Sequence, residues 1–208
     1  MEAWKSQEFV IFDLETTGLD VNQGDEIVEI GAIRFQGENY NDITSFETFV
    51  QPKTLIPKEA TAINGITNEM VKNAPRIDEV FIPFMNFCKG AIPVAQNAKF
   101  DLSFLQPYIQ KNEYMNFYTF CVDTKMISRK IWFYERGHNL DTIAARLGLT
   151  YNSKTRHRSI ADCKITGECF IKMLKKINVL TMNELKKYSV PVSKPIILDQ
   201  TSLPMFEF

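Results

Sequence analysis

Asp13 and Glu15 are two carboxylates set two residues apart at the end of the apolar run Phe9-Val10-Ile11-Phe12, with Thr16-Thr17-Gly18 following. In an extended strand, side chains at i and i+2 share a face, so the pair projects together with Cα atoms roughly 6.6 Å apart. Two acids at the end of a buried strand repel each other and lose solvation. A divalent cation between them relieves both penalties. Further carboxylates then have to converge on the pair, and Asp101 and Asp162 are the candidates. His157, one of only two histidines, lies five positions before Asp162 in a polar, basic stretch. Imidazole is the side chain that takes up a proton near neutral pH. Taken singly, each residue has a plainer reading. Asp13 and Glu15 would be a solvated strand exit, Asp101 a helix-start acid favoured by the helix dipole, and His157 a surface residue. The metal reading requires that all five meet.

Periodicity suggests the elements that would bring them together. The run from Phe9 is dense enough in apolar residues for a strand buried on both faces. Residues 26–35 read as a second strand, with Glu29 on the face of Ile27 and Ile33. Asn39 to Asp42 reads as a turn and Ser45 to Val50 as a third strand, an antiparallel meander. A Pro-containing connection, Gln51 to Pro57, follows. Ile77, Val80, Phe81, Phe84, Phe87 and Cys88 form a helical stripe interrupted at Pro83. Ile92 to Ala95 is a short strand. Gln96-Asn97-Ala98-Lys99-Phe100-Asp101 then leads into a helix carrying Leu102, Phe104, Leu105, Tyr108 and Ile109. Phe117 to Val122 suggests a strand, followed by a helix through Ile131. Leu140, Ile143, Ala144 and Leu147 mark an amphipathic helix ended by Gly148, with His138 a structural or capping residue at its start. The last long helix begins near Ser159, with Asp162 in its first turn and Lys172, Lys175 and Lys176 on a solvated side. The order β-β-β-α-β-α-β-α-α-α predicts an α/β fold, a mixed sheet with helices packed against it.

Composition narrows the class. With 208 residues, 45% of them apolar, the chain can bury one good core and carry an appendage. A net charge of −1 argues against a protein that coats long nucleic acid. It is compatible with an enzyme that grips a strand end, where bound cations supply positive charge. No apolar run reaches membrane-spanning length, and Met1-Glu2-Ala3-Trp4-Lys5 lacks a basic-then-apolar signal pattern. Cys88, Cys121, Cys163 and Cys169 form no C-x-x-C pair and sit among apolar residues. They read as core thiols in a reducing compartment, so a cytoplasmic protein is expected.

Phe12-Asp13-Leu14-Glu15-Thr16-Thr17-Gly18, Gln96-Asn97-Ala98-Lys99-Phe100-Asp101 and His157-x-x-x-x-Asp162 resemble, in order and relative position, the three motifs of the DEDDh 3′→5′ exonuclease superfamily. The chain is most similar there to the proofreading epsilon subunits of bacterial DNA polymerase III. Ile30-Gly31-Ala32, Asn64-Gly65-Ile66-Thr67 and Asn139-Leu140-Asp141 add to the likeness, which covers about residues 8–176. The resemblance implies a ribonuclease H-like mixed sheet, an antiparallel meander plus parallel strands. It also implies removal of nucleotides from a 3′ end. Asp13, Glu15, Asp101 and Asp162 would hold two Mg²⁺ or Mn²⁺ ions, with His157 the general base. The backbone around Thr16 and Gly18 would approach the terminal sugar, with Leu19 and Phe100 flanking the terminal base. Gln96, Asn97 and Asn64 would lie near the same nucleotide. The family often has His at the positions of Gln96 and Asn64, so an altered nucleotide grip is expected, since both amides still hydrogen-bond. Lys154, Arg156 and Arg158 are expected to hold backbone phosphates.

These readings divide the chain into an exonuclease domain over 1–178, a helix and Pro-containing linker over 179–195, and a C-terminal peptide over 196–208. Gln200, Leu203 and Phe206 in that peptide resemble a bacterial sliding-clamp-binding motif, in which the two apolar side chains fill a pocket and the glutamine bonds its rim. Folding of the peptide back on its own domain is the other reading. The expected partners are DNA 3′ ends, the clamp, and the polymerase III catalytic subunit, with no membrane. Two alternatives keep the scaffold: an RNA 3′-end trimming enzyme, and a non-catalytic clamp-binding adaptor.

Overall fold

Phe9 to Phe12 need burial on both sides. The computed structural model of the chain, which describes residues 3–111, 119–152, 156–179 and 181–192, places them in an inner strand of a six-stranded sheet. Strand β1 (Glu8–Thr16) pairs antiparallel with β2 (Ile27–Gln36), which pairs antiparallel with β3 (Asn39–Phe49). On its other edge β1 runs parallel to β4 (Ile92–Ala95), and β4 parallel to β5 (Phe120–Asp123). Strand β6 (Ser189–Pro191) closes that side antiparallel to β5. The sheet order is β3-β2-β1-β4-β5-β6, the mixed arrangement expected from the sequence.

The period-2 alternation of β1 assigns its two faces. Val10, Phe12 and Leu14 pack into a core with Phe81, Phe84 and Met85 of α3 (Ile77–Cys88) and Leu102 and Leu105 of α4 (Ala98–Lys111). Phe9 and Ile11 pack on the opposite side, with Ile127 of α5 (Thr124–Ile131), Ile143 of α6 (Leu140–Arg146), and Cys163 and Phe170 of α7 (Ser159–Ile177). Asp13 and Glu15 share the parity of Phe9 and Ile11, so they emerge toward α7, the helix that carries Asp162. Two short helices, α1 (Lys58–Asn64) and α2 (Asn68–Val71), form a third cluster around Val28, Ile56 and Ile66.

Three segments differ from the sequence expectations. Strand β3 starts at Asn39, so the expected turn at Asn39 to Asp42 lies inside a strand; the real turn is Gly37-Glu38, with Gly37 at φ +54°. A Cβ on Gly37 would lie 2.1 Å from the Lys5 carbonyl, so the turn demands glycine. Exposed Asn39 and Asp42 gave an edge strand the polarity of a turn. Helix α3 runs unbroken past Pro83, which sits on its exposed side. Residues 181–192, expected as helix and linker, pack on the domain: α8 (Met182–Lys186) buries Leu185, and β6 buries Val190. Pro191 suits an edge strand, where its missing N–H costs no ladder bond. Residues 117–118 of the expected fifth strand, Lys154, and the peptide with Gln200, Leu203 and Phe206 lie outside the described residues.

Candidate active site

Strands β1 and β4 stay paired only as far as Ile11 and Val94, then separate. A cleft of about 440 Å³ opens at their carboxyl ends, the usual place for a ligand in a sheet with parallel strands. Asp13, Glu15, Asp101, His157 and Asp162 all line it. The four elements that deliver them are β1, the first turn of α4, the turn before α7, and the first turn of α7.

Each side chain is held by identifiable contacts. Beyond the β1–β4 pairing the Leu14 N–H has left the ladder, and Asp101 Oδ1 accepts it at 3.2 Å. This bond ties the first turn of α4 to β1 and fixes Asp101 beside Asp13 and Glu15. Helix α7 is seated by β2. The Glu29 carboxylate accepts the Ser159 N–H at 2.8 Å and the Arg158 guanidinium at 3.0 and 3.3 Å, so a residue from a distant strand caps the helix that carries Asp162. Gly31 permits the contact: a Cβ there would lie 2.5 Å from Ser159 Oγ and 2.6 Å from the Ile160 nitrogen. Ligand atoms of Glu15, His157 and Asp162 come within 4.8 Å of one another.

The electrostatics are unfavourable for the acids alone. Burial, reinforced by Asp101, Glu15 and Asp162, holds the Asp13 carboxyl well above the usual range. Burial and the Asp162 charge push Glu15 up to about 8. Burial raises Asp101 to about 8, against the pull of its backbone bonds. Asp162 is raised by burial and partly offset by Arg156, whose guanidinium bridges it to Asp141. Arg156 and Lys125 are the cationic side chains on the cleft wall among the described residues. Asp162 Oδ1 is buried and accepts no hydrogen bond. Crowded hard oxygen donors, one of them orphaned, fit a divalent cation.

The other sequence candidates divide into two groups. Gln96, Asn97 and Phe100 line the cleft. Gln96 donates to the His138 carbonyl at 2.9 Å and accepts the Thr124 hydroxyl, cross-linking the β4 exit to the start of α5 and to the loop before α6. Asn97 sits at φ +65°, held by its N–H on Asp123 Oδ1 at 3.1 Å and by Lys125 Nζ on its own Oδ1 at 3.0 Å. Thr16, Gly18, Leu19 and Asn64 lie outside the cleft wall. Thr16 donates to the Gly18 carbonyl at 2.6 Å, and Leu19 is 82% exposed. Asn64 is buried: its Oδ1 accepts the Ile66 N–H at 2.9 Å and its amide donates to the Thr16 carbonyl at 3.4 Å, so it joins α1 to the β1 exit. Arg156 and Arg158, expected to hold phosphates, are instead engaged by exposed Asp141 and by buried Asp162 and Glu29, carboxylates close enough to claim the guanidinium forks first. His138 lines the cleft with Nδ1 2.8 Å from Ser128 Oγ, while Asn139 caps α6. The sequence reading assigned no site role to Lys125, Asn139 and Leu140 on the wall; Asn139 and Leu140 belong to the third supporting motif, and Lys125 carried no such signal.

Comparison with known proteins identifies the family and the fold. Residues 10–170 match the exonuclease family RNase_T. The chain is 38% identical over 208 residues, 99% of its length, to a DNA polymerase III PolC-type of Caldanaerobacter subterraneus subsp. tengcongensis, covering 14% of that protein. It is 41% identical over 169 residues, 80% of its length, to a DNA polymerase III subunit epsilon-like protein of Rhodobacter capsulatus, covering 23% of it. The chain thus spans a minor part of each of these relatives. Among solved structures it is similar to Exonuclease X in complex with 5′ overhanging duplex DNA (TM-score 0.67, 24% identity, 86% of this chain and 98% of that one). It is also similar to the nuclease domain of 3′hExo, a DEDDh family member, bound to rAMP (TM-score 0.72, 18% identity, 87% and 98%). The shared architecture is the ribonuclease H-like mixed sheet that the motifs imply.

Proposed function

The chain belongs to the exonuclease family, and from that premise we propose that it is a two-cation 3′→5′ exonuclease of DNA, releasing nucleoside 5′-monophosphates in replication proofreading or repair. The observation that carries this reading is the meeting of four carboxylates and His157 in one cleft, with a buried Asp162 oxygen left without a hydrogen bond.

Asp13, Glu15, Asp101 and Asp162 would hold Mg²⁺ or Mn²⁺. Two such ions supply a nucleophile at neutral pH and stabilise the charge that builds on the leaving 3′ oxygen. The remaining work falls to the protein. The carboxylates are prepositioned by the Leu14–Asp101 bond and by the Glu29 cap on α7. A nitrogen of the His157 imidazole accepts the proton of the attacking water. Phe100, Gln96 and Asn97 present an apolar face and amides to the terminal nucleotide, and Thr16, Gly18 and Leu19, outside the cleft wall at the β1 exit, would meet it only where it extends beyond the cleft. Lys125 adds a positive charge for a phosphate.

The names of the PolC-type and epsilon-like relatives support a DNA end as substrate and association with the polymerase III catalytic subunit. A fold neighbour bound to rAMP keeps RNA 3′-end trimming as the second reading. Rates on end-labelled single-stranded DNA, mismatched primer termini and short RNA separate the two: DNA preferred supports our reading, RNA preferred the other. The tail with Gln200, Leu203 and Phe206 tethers the enzyme to a sliding clamp in this proposal. A peptide of residues 195–208 should bind purified clamp and lose binding on Leu203→Ala plus Phe206→Ala; equal binding by both peptides removes the tether. A clamp-binding adaptor without catalysis would take up no Mn²⁺ at the cleft. We place the enzyme in the cytoplasm, consistent with four buried free thiols; among the described residues no helix is long and apolar enough to cross a membrane.

A further inference from the structure

Phe133 and Tyr134 are the most conspicuous apolar side chains that neither core nor cleft uses. They are 75% and 95% exposed, and their rings meet edge to face with centroids 5.0 Å apart. Exposing two adjacent aromatic rings forfeits burial that most chains would exploit. The segment that carries them is nevertheless tightly built. Arg146 donates to the carbonyls of Gly137 at 2.8 Å and Arg136 at 2.7 Å, pairs with Glu135 at 2.9 Å, and lies over the Trp132 ring at 5.4 Å. The Glu135 N–H bonds the Trp132 carbonyl at 3.1 Å, and Gly137 turns the chain at φ +82°. One guanidinium therefore fixes a short arch that points two rings into solvent.

The arch leads directly into the cleft. His138, Asn139 and Leu140, the residues that follow it, form part of the cleft wall. His138 is four residue steps beyond Tyr134, a reach of at most about 14 Å along the chain. The surroundings are basic: Arg129 and Lys130 close the exposed end of α5, Arg136 is exposed beside the rings, and Lys125 stands on the wall. This concentration stands out in a chain of net charge −1, whose other positive charges near the site are consumed by carboxylates. Exposed aromatic faces flanked by cations are what unpaired bases on a phosphate backbone require.

We propose that Phe133 and Tyr134 form a stacking platform for single-stranded nucleic acid, holding bases a few nucleotides behind the 3′ end while Arg129, Lys130 and Arg136 hold the phosphates between them. The occupant is the unpaired strand itself, because the arch runs into the cleft wall at His138 and its charge is complementary to a polyanion. The inference rests on the exonuclease reading for its direction, but its test does not use cleavage.

The test measures binding of the full chain in EDTA, where no hydrolysis occurs, by fluorescence anisotropy with an oligothymidylate of about twenty nucleotides. The same measurement is made with an abasic oligomer of equal length. Phe133→Ala plus Tyr134→Ala should weaken oligothymidylate binding roughly tenfold or more. It should leave abasic binding within about twofold, and Phe133→Trp plus Tyr134→Trp should restore the loss. Because both rings are exposed, equal melting temperatures are expected and are checked alongside. Unchanged oligothymidylate binding would overturn the platform and leave the rings to a protein partner. An equal loss on the abasic oligomer would also overturn it, since the rings would then serve only to shape the backbone site. Hydrolysis of the 4-nitrophenyl ester of thymidine 5′-monophosphate, which lacks the upstream strand, should be the same in variant and parent; a parallel loss there contradicts the platform. A parent inactive on every substrate would count against the exonuclease reading and leave the binding result standing.

Discussion

Glu15 and Glu29 face each other across the β1–β2 pair, in register, yet they do opposite jobs. Both are buried carboxylates, but only Glu15 lines the cleft. Glu29 is saturated: it takes the Arg158 guanidinium and the Ser159 N–H, and spends its charge on seating α7. Glu15 is pushed up to about 8 by burial and by the charges of Asp162, Glu29 and Asp101. Burial alone therefore does not mark a functional acid. The distinction lies in whether the protein supplies the counter-charge or leaves that to something it must bind.

The largest effect that sharpens this contrast is expected at the unsaturated end. Asp101→Asn keeps an acceptor for the Leu14 N–H but removes a charge from the cation set. Loss of several kcal/mol of transition-state stabilisation corresponds to a fall of about 10³-fold or more in nuclease rate, with the fold intact by circular dichroism. A rate within tenfold of the parent would break the comparison. His157→Ala should cost about 10²–10⁴-fold in the same assay. Its loss should shrink as pH rises and hydroxide becomes available, whereas the Asp101→Asn loss should not.

Gly31→Ala probes the seat of α7 without touching the site. The added methyl would collide with Ser159 and Ile160 and push the helix outward. The expected cost is about 1–3 kcal/mol of stability and a rate loss between roughly tenfold and a hundredfold, because Asp162 moves with the helix. At the saturated end, Glu29→Gln should cost roughly 2 kcal/mol, a drop of about 4–8 °C in melting temperature, with a smaller fractional loss of rate than Asp101→Asn. A greater loss of rate than of stability would mean that Glu29 belongs to the reacting set.

The smallest effect is a pH dependence. Glu15 and Asp101 are raised in the folded state, so the fold retains protons that the unfolded chain gives up near pH 4. Their contribution to stability is full below that pH and is lost as pH climbs through about 8. Metal-free protein should lose stability across this window. Glu15→Gln should lose less, and Mn²⁺ should raise the melting temperature more at pH 8 than at pH 5. A slope of the opposite sign in the parent relative to Glu15→Gln would contradict the crowding of acids.

Much of this site could be read before the fold was known. Asp13, Glu15, Asp101 and Asp162 stand in short segments whose apolar residues announce strand or helix, the period-2 rule put the first pair on one face, and His157 stood out as one of two histidines, five positions before Asp162. The supports were less visible. Glu29 lies 130 positions from the N–H it caps, so no local pattern links the two. Gly31 looks like any strand glycine until α7 is seen to press on it. Arg156 and Arg158 read as phosphate ligands because composition cannot show that Asp141, Asp162 and Glu29 reach them first. The polar start of β3 and the proline of β6 obscured two edge strands for the same reason: edges need no buried face on their outer side.

The most direct measurement is electron paramagnetic resonance of Mn²⁺ titrated into the full chain at pH 8, for the parent and for Asp162→Asn. The account predicts two bound ions per parent chain and a loss of at least one, or a large drop in affinity, in the variant. No specific Mn²⁺ uptake by the parent, or identical uptake by the two proteins, would contradict it.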